Sequence, residues 1–462
     1  MAPTNTIKAV NLGGWLVTEG WINPSLFNRI VNNDLLDGTQ VQLRSVALGK
    51  YPCAENGGGT VVVANRASPS GWETFKLWRV DATHFQFRVF FKQFVAVNNG
   101  GNAVDVTTRP GPAETFEIVR RTGDPNRAKT ENSVTADFVG DGNWGNDDPS
   151  VFLMTAFGTM GGEYQLTNGY GLARAPTVMR EHWQSFIVEE DFKFIKDNGL
   201  NAVRVPVGWW IASDPTPAPY VGGSLEALDN AFSWADPGSQ NGDEHSGGRD
   251  GIIEWGVEPG SIEKTVSVIE FLARRYASRP SLIAVELINE PRAEGVGFDT
   301  LKSYYQAGYD AVRRHTSTAY VIFSARLSAD AGEFIPFTSG LDGTVLDVHY
   351  YNLFSDMFDG WTAQQNIDYV HNQRANQLAA VTKSNGRPLS VVGGTPTQPS
   401  RWEWVAEWNV NNATPEDYRR FAEAQLKVLG NASFGCAYWT YKCEKQHWSL
   451  RWMITNGYIS LV

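Results

Sequence analysis

From residue 181 onward the chain alternates between amphipathic helical segments and short apolar runs. Segment 183–195 places its apolar side chains on one helical face, and Gly199 ends this helix just before the apolar run 202–206. Segment 262–276 repeats the pattern before the apolar run 283–290. Because alternating helices and strands are typical of β/α units around a parallel sheet, this part of the chain is predicted to be an α/β domain.

Seven strands follow from this pattern. They are predicted at residues 7–11, 202–206, 283–290, 320–323, 345–349, 389–392 and 437–439. Eight strands would close a (β/α)8 TIM barrel. The third strand is missing, because the predicted helix 224–235 continues into segment 236–242 without an apolar run between them. We therefore predict an α/β fold, a TIM barrel whose third strand is absent.

The residues between the first two predicted strands have a different character. Segment 38–165 is rich in Gly, Asn, Val and Phe, lacks a long helical pattern, and is predicted to form short strands separated by turns. Phe75, Phe116 and Phe152 lie at equivalent positions of three similar units. Three all-β units packed together predict a β-trefoil, and the repeat resembles the fascin-like trefoil module, a binding domain.

The third of these units looks short, because segment 124–137 lacks the apolar strand that the other two contain. The change in pattern on either side of the repeat also sets the expected domain boundaries. We expect a fascin-like trefoil domain at residues 33–167, inserted into a discontinuous barrel domain formed by residues 1–32 and 168–462.

Charge and cysteine usage exclude several classes of partner. The 462 residues include 50 acidic and 39 basic side chains, a formal net charge of −11, which argues against nucleic acid. The three cysteines, Cys53, Cys436 and Cys443, have neither disulfide-framework nor metal-site spacing. No apolar stretch reaches the ~18 residues that a bilayer requires, and the N-terminus lacks the apolar run of a secretory leader. We expect a monomer that needs no metal or cofactor and binds no membrane.

Polar residues that directly follow the apolar strands are the candidates for chemistry, because catalytic groups in such a barrel sit at the C-terminal strand ends. These residues are Arg204, Asn289, Glu290, His349 and Tyr351. Glu403, in a Trp-Glu-Trp motif after the predicted seventh strand, offers a second carboxylate. Two carboxylates that face each other across a pocket are suited to glycoside hydrolysis. A separation of about 5–5.5 Å between them would indicate a mechanism that retains the anomeric configuration. From spacing alone, a structural role for these glutamates in a salt bridge is as well supported as a catalytic one.

Six motifs occur in a characteristic order, at residues 11–19, 203–206, 237–242, 287–291, 348–351 and 439–442. Together they resemble glycoside hydrolase family 5, within it the exo-1,3-β-glucanase branch, and the inserted module resembles that of the plant-type members. The resemblance implies a retaining glucan exo-1,3-β-glucosidase or β-glucosidase that acts on β-glucan or β-glucosides by double displacement. It also implies a role in glucan catabolism and secretion to the cell exterior or cell wall.

The resemblance further implies which residues act in catalysis. Glu290 would be the acid/base and Glu403 the nucleophile, with Glu407 as the competing nucleophile candidate because it too precedes a Trp. Arg204 and Asn289 would hold the nucleophile and the 2-hydroxyl of the sugar.

The resemblance also implies supporting roles for four further residues of this chain. His349 and Tyr351 would hydrogen-bond near the attacking carboxylate, Glu19 would accept from hydroxyls of the terminal glucose, and Trp439 would lie under that ring. Without the resemblance, His349 and Trp439 would be interpreted as core packing.

The chain also departs from the family pattern, at the missing third strand and at an additional segment, 394–402, just before Glu403. Displacement of Glu403 by this segment would leave a catalytically impaired isoform that acts as a carbohydrate-binding protein. The fascin likeness alone would suggest a cytoskeletal binding module, although fold does not imply function. The ligand of the trefoil stays open, with a carbohydrate as one candidate.

Overall fold

The computed structural model of the chain divides into two compact units. The barrel unit comprises residues 1–24, 176–247 and 253–462, and the strand unit comprises residues 25–175 and 248–252. The structure describes residues 6–59, 61–97, 104–131, 143–234, 240–242, 248–252, 254–338, 340–383, 400–408 and 413–461. Within these ranges no helix combines the length and the apolar composition needed to cross a membrane.

The strands are numbered in chain order, starting with β1 (Ile7–Asn11) of the barrel unit. The strand unit contributes β2 (Gln40–Ser45), β3 (Tyr51–Ala54), β4 (Val62–Arg66), β5 (Phe75–Arg79), β6 (His84–Arg88), β7 (Phe94–Val97), β8 (Val104–Thr107), β9 (Thr115–Arg121), β10 (Asp124–Glu131) and β11 (Phe152–Phe157). Six of them pair antiparallel in a closed ring, in the order β2, β11, β10, β9, β6, β5 and back to β2. Two hairpins, β3–β4 and β7–β8, accompany the ring.

The equivalent phenylalanines of the repeat lie in or against the core of the strand unit. Phe75 and Phe116 are buried in this core, and the half-buried Phe152 packs against it. The expectation of a short third unit is wrong for residues 124–131, which form β10 and pair with strands on both sides. Strand pairing uses backbone groups, so a polar segment can supply it. Residues 132–137 lie outside the described residues.

The barrel unit continues with β12 (Ala202–Arg204), β13 (Pro206–Val207), β14 (Gln240–Gly242), β15 (Ala284–Glu286), β16 (Tyr320–Ser324), β17 (Thr344–His349), β18 (Ser400–Trp404) and β19 (Gly435–Tyr438). All pair in parallel, in the order β12, β1, β19, β18, β17, β16, β15, β14, β13. Since only Val205 separates β12 from β13, the sheet closes on itself with eight strand positions, as the (β/α)8 prediction requires.

The prediction that the third strand is absent is wrong. β14 occupies that position and pairs in parallel with β13 and with β15, Asn241 lying opposite both Pro206 and Glu286. This strand comes from segment 236–242, which contains Gly and Asn but no apolar run. Because unpaired backbone groups inside a protein are costly, a segment without apolar side chains can still complete the sheet through its backbone.

The seventh position is filled by β18, which pairs with β17 and β19. The strand predicted at residues 389–392 and most of the additional segment before Glu403 lie outside the described residues. Glu403 itself stands on β18, opposite His349 of β17 and Ala437 of β19. Its backbone is therefore held on both sides by the sheet.

Ten α-helices lie within the described residues. They are α1 (Glu163–Ser185), α2 (Glu189–Asp197), α3 (Ser224–Trp234), α4 (Ser261–Tyr276), α5 (Phe298–Arg313), α6 (Ile335–Thr338), α7 (Ala363–Tyr369), α8 (Ala375–Lys383), α9 (Pro415–Leu429) and α10 (Leu450–Thr455). The helix predicted over 183–195 is divided between α1 and α2. An apolar cluster inside the barrel includes Ile7, Ala9, Ala202, Ala284, Ile322, Val345, Phe434 and Ala437. The polar side chains described below stand closer to the C-terminal strand ends.

Candidate active site

The guanidinium group of Arg204, at the end of β12, joins four polar side chains inside the barrel. It donates two hydrogen bonds to the carboxylate of Glu286, at 3.0 and 3.1 Å, and one to Glu403 Oε2 at 3.4 Å. Further bonds reach Asn11 Oδ1 at 3.1 Å and Asn289 Oδ1 at 2.5 Å. Burial alone would lower the pKa of Arg204, but the neighbouring carboxylates raise it above its ordinary value, so the group stays charged.

A second buried arginine, Arg401 on β18, pairs with two carboxylates. Its Nη2 donates to Glu286 Oε2 at 2.7 Å and to Asp347 Oδ2. Burial would raise the pKa of Asp347, but Arg401 and the adjacent His349 hold it well below its ordinary value. Sequence reasoning missed Glu286, Asp347 and Arg401. The sequence signal for these residues is a charged side chain within a short apolar strand. Such a charge becomes buried and therefore has to be paired.

His349, at the end of β17, stands between the two carboxylates proposed from sequence. Its Nδ1 lies 2.6 Å from Glu290 Oε1 and 3.3 Å from Glu403 Oε1, and its Nε2 lies 3.0 Å from Asp347 Oδ2. Burial alone would lower the pKa of His349, but the surrounding carboxylates raise it well above 6.5. The ring is therefore protonated at neutral pH and donates from both nitrogens.

Glu403 is almost fully buried and receives hydrogen bonds from several sides. The hydroxyl of Tyr351 donates to its Oε1, while Arg204 donates to its Oε2. Burial raises the pKa of Glu403 above its ordinary value, and the neighbouring Glu290 adds to this effect. His349 and Arg204 oppose the rise without cancelling it. Burial and the nearby carboxylates likewise raise the pKa of Tyr351 well above 10, which keeps the phenol a donor.

Glu290 follows β15 with a left-handed backbone conformation, φ 44°, that non-glycine residues seldom adopt. Its backbone N–H donates to Ser324 Oγ at 3.1 Å, and its side chain keeps 15% exposure at the barrel mouth. One carboxylate oxygen of Glu290 lies within 4.8 Å of one of Glu403. The two carboxylates are therefore adjacent, with His349 touching both.

Two groups of three residues in this cluster could place ligand atoms around a metal ion, namely Glu286, Asp347 and His349, and Glu290, His349 and Glu403. Both groups depend on the imidazole of His349, whose two nitrogens already face carboxylate oxygens of Glu290 and Asp347. Arg204 and Arg401 also supply positive charge beside these carboxylates, so the donor set fits an ion-pair network better than a metal centre.

The residues predicted to bind the terminal sugar lie on strand-end loops. Glu19 Oε2 accepts a hydrogen bond from the Trp21 indole at 2.8 Å, and the Trp21 ring meets the edge of Trp448 at 5.1 Å. Trp448 in turn lies 6.2 Å from the ring of Tyr351, which contacts Glu403. A chain of three aromatic side chains, Trp21, Trp448 and Tyr351, thus connects Glu19 with Glu403.

Trp439 follows β19 and is mostly buried. Its backbone N–H donates to the carbonyl of Trp404, the residue after Glu403, at 2.9 Å. Its indole ring packs closely against Gly13 in the loop after β1. A Cβ atom added at Gly13 would lie only 2.9 Å from two atoms of this ring. The absence of a side chain at Gly13 therefore allows this ring position.

Glu407 does not join the carboxylate pair. Its Oε2 lies 3.3 Å from Nδ1 of His447, and its Oε1 accepts from the Tyr418 hydroxyl at 3.3 Å. By contrast, Arg204, Asn289, Glu290, His349, Tyr351 and Glu403 form one connected cluster. Sequence patterning could not separate Glu403 from Glu407, because both precede a Trp.

Comparison with known families separates the chain into two matched regions. Residues 167–445 match the family described as Cellulase (glycosyl hydrolase family 5). Residues 32–157 match a family described as a domain of unknown function (DUF7910). The first match covers more than half of the chain and includes seven of the eight strand positions of the barrel.

Curated relatives and solved structures agree with this match. A probable glucan 1,3-beta-glucosidase A of Emericella nidulans is 31% identical over 64% of this chain and 82% of its own length. A probable glucan 1,3-beta-glucosidase A of Aspergillus clavatus is 32% identical over 67% of this chain and 82% of its own length. The crystal structure of a rutinosidase from Aspergillus niger superposes with a TM-score of 0.52 at 17% identity, covering 64% of this chain and 88% of that one, and supports the barrel fold.

Proposed function

The chain belongs to glycosyl hydrolase family 5 and is an O-glycosyl hydrolase, and we propose that it is a retaining β-glucosidase of the glucan exo-1,3-β-glucosidase type. The observation that carries the proposal is the separation of at most 4.8 Å between a carboxylate oxygen of Glu290 and one of Glu403. Retaining enzymes hold their two carboxyl groups about 5–5.5 Å apart, whereas inverting enzymes need about 6.5–9.5 Å to admit a water molecule.

In the first step, an oxygen of Glu403 attacks the anomeric carbon of the terminal glucose. The bond from this carbon to the glycosidic oxygen breaks, and Glu290 gives its proton to the departing oxygen. A covalent glucosyl ester on Glu403 remains. In the second step, Glu290 takes a proton from water, the water oxygen bonds to the same carbon, and Glu403 leaves as a carboxylate.

Charge balance supports this division of roles. The cluster contains four carboxyl groups, Glu286, Glu290, Asp347 and Glu403, and three cationic groups, Arg204, Arg401 and the protonated His349. One proton on a carboxyl group would make the cluster neutral. Arg204 and Tyr351 both donate to Glu403, whereas Glu290 keeps 15% exposure at the barrel mouth, so the proposal assigns this proton to Glu290, the acid.

The proposed substrate is a β-1,3-glucan-like chain, attacked at its non-reducing end, or a small β-glucoside. The names of the relatives from Emericella nidulans and Aspergillus clavatus support this substrate class. Trp439 would lie under the terminal glucose and Glu19 would accept from its hydroxyls, while Asn289, held by Arg204, would bind the 2-hydroxyl. The plant-type assignment within the family remains part of the proposal.

We also propose the domain division at residues 33–167, with a fascin-like β-trefoil inserted between the first two barrel strands. A trefoil contains a six-stranded barrel and three hairpins. The closed ring of six strands and the hairpins β3–β4 and β7–β8 support this architecture. Residues 132–142, between β10 and β11, lie outside the described residues.

Fluoride release from β-glucosyl fluoride tests the two carboxylate roles separately, because fluoride leaves without needing a proton from the enzyme. We expect Glu290→Gln to release one burst of fluoride per enzyme molecule and then to turn over slowly, since the second step lacks its base. On a β-1,3-linked glucose disaccharide its kcat should fall by about 10²–10⁴-fold. Glu403→Gln should show no burst.

A matched control is Glu416→Gln, which neutralises an exposed carboxylate on α9 and should leave both activities unchanged. Proton NMR of the first product should show β-glucose. Initial release of α-glucose would contradict retention, and loss of the burst in Glu407→Gln but not in Glu403→Gln would reassign the nucleophile. Sugar binding without turnover by the unmodified protein would favour the alternative of a carbohydrate-binding isoform.

A further inference from the structure

The additional segment before Glu403 contributes a buried arginine to the barrel interior. Arg401 stands on β18 two residues before Glu403, and side chains two residues apart on a strand lie on the same face. Both residues are only 3% exposed. The reaction proposed above assigns no step to Arg401.

The pairing of β17 with β18 arranges the neighbouring side chains in two layers. Asp347 lies opposite Arg401, and His349 lies opposite Glu403, two residues nearer the C-terminal strand ends. Because these positions share one face of each strand, Asp347 and Arg401 form a layer directly beneath His349 and Glu403. The upper layer is the one in which the proposed chemistry takes place.

Asp347 connects the two layers through a single oxygen atom. Its Oδ2 accepts a hydrogen bond from Arg401 Nη2 and lies 3.0 Å from Nε2 of His349. Asp347 is fully buried, and its other carboxylate oxygen, Oδ1, has no hydrogen-bond partner among the residues that the structure describes. The orientation of this carboxylate, and with it that of the imidazole, therefore depends on the bond from Arg401.

The same nitrogen of Arg401 also bonds to Glu286. Arg401 Nη2 lies 2.7 Å from Glu286 Oε2, which accepts a second hydrogen bond from Arg204 Nε at 3.0 Å. Arg204 in turn donates to Glu403 Oε2 at 3.4 Å. Arg401 thus reaches the reaction centre by two routes, one through Asp347 and one through Glu286.

Arg401 also balances the charge of the lower layer. Burial alone would lower the pKa of Arg401, but Asp347 and Glu286 raise it above its ordinary value, so the guanidinium stays charged. Both carboxylates are fully buried. Loss of the guanidinium would therefore leave an uncompensated negative charge beneath His349.

We propose that Arg401 is a positioning residue, which holds Asp347 so that the imidazole of His349 stays directed at the two carboxylates of the mechanism. The inference rests on the proposed function, because it gives Arg401 a part in the same reaction. Its effect on Glu290 and Glu403 passes through the neighbouring side chains. The positive charge of Arg401 also lowers the pH at which the carboxyl groups of the site release their protons.

The pH dependence of kcat/KM for a β-1,3-linked glucose disaccharide tests the assignment, because its two limbs report the essential base and acid of the free enzyme. Arg401→Met removes the charge and keeps an unbranched side chain. We expect both limbs to move about one pH unit towards higher pH, since loss of a nearby cation makes carboxyl groups hold their protons more tightly. Arg401→Lys keeps the charge and should leave both limbs close to those of the unmodified protein.

A double variant separates the effect of position from the effect of charge. Arg401→Met combined with Asp347→Asn removes both members of the ion pair, so no uncompensated charge remains and both limbs should return towards their original positions. Its kcat should still be lower by about tenfold to a hundredfold, because the imidazole has lost its oriented support. The matched control is Arg420→Gln on α9, whose side chain is 43% exposed and which should leave the whole profile unchanged.

If the unmodified protein turns over the disaccharide and neither limb moves in Arg401→Met, the inference is overturned while the proposed function stands. Limbs that move as far in Arg401→Lys as in Arg401→Met, or full kcat in the double variant, would overturn it as well. If the unmodified protein turns over neither β-glucosyl fluoride nor the disaccharide, the proposed function fails and the inference fails with it.

Discussion

At the scale of single residues, the candidate site depends on buried charges that stabilise one another. Arg204 is 1% exposed and bonds to both Glu286 and Glu403, while Arg401 bonds to Glu286 and Asp347. Removal of one partner from such a network leaves an uncompensated buried charge, which typically costs about 3–5 kcal/mol. Arg204 thus holds Glu403 in place and opposes the rise in its pKa that burial causes.

His349 should make the stability of the protein depend on pH. Its folded-state pKa lies well above its ordinary value of 6.5, so folding binds its proton more tightly than the unfolded chain does. This contribution is fully present below about pH 6.5 and is lost as the pH rises through the folded-state pKa. Each unit of the pKa difference corresponds to about 1.4 kcal/mol.

We therefore expect the difference in melting temperature between the unmodified protein and His349→Gln to be largest near pH 6 and to shrink as the pH rises. Thermal unfolding followed by circular dichroism between pH 6 and pH 9 measures this difference. A difference that stays constant or widens over this range would contradict protonation of His349 in the folded protein.

At the scale of secondary-structure elements, the barrel shows that a segment can join a sheet through backbone hydrogen bonds even when its side chains lack the apolar pattern of a strand. β14 pairs with strands on both sides although its sequence contains no apolar run. The capping of α9, by contrast, follows from local sequence: the Thr414 side chain accepts from the Asp417 backbone N–H, and Pro415 stands in the first turn. Local signals thus predict helix ends well, while strand membership also depends on neighbours that are distant in sequence.

Proline at position 241 tests the contribution of β14. Asn241 lies between Pro206 of β13 and Glu286 of β15, and a proline there has no backbone N–H for the sheet. We expect Asn241→Pro to lower the free energy of unfolding by about 1–3 kcal/mol, the cost of leaving a buried backbone group without its partner, measured by urea denaturation. Asn241→Ala keeps the N–H and serves as the control. Equal stability of the two variants would show that the third strand contributes little.

At the scale of the whole molecule, the chain forms two units that each have their own apolar core. Phe85 is fully buried in the core of the strand unit, and Ile322 is buried inside the barrel. Units with separate cores can unfold in separate transitions. The chemistry proposed above uses residues of the barrel unit only.

Scanning calorimetry of two core variants tests this independence. Phe85→Ala should destabilise the strand unit by about 3–5 kcal/mol and lower one transition, because it leaves a cavity in that core. Ile322→Ala should destabilise the barrel unit by about 2–5 kcal/mol and lower the other transition. A single transition that both variants shift would mean that the two units unfold together.

Apolar periodicity and the order of the motifs are sufficient to predict the barrel, the enzyme class and most of the residues of the candidate site. Helical and strand periodicity are local properties, so the positions of β1, β12, β16, β17 and β19 could be read from apolar runs. The motif resemblance then identified the family, which the comparisons confirm. The roles of Glu290 and Glu403 and the trefoil remain proposals.

Which buried groups pair with one another depends on how the chain folds in three dimensions. Arg204 and Glu403 are 199 residues apart in sequence, and Arg401 and Glu286 are 115 apart, yet both pairs share one buried cluster. The pairing of the third strand likewise depends on strands that are distant in sequence. So does the distinction between Glu403, which joins the buried cluster, and Glu407, which does not. The physical reason is that the partner of a buried charge, or of a strand backbone, is set by chain closure over long distances, and no local pattern of residues encodes it.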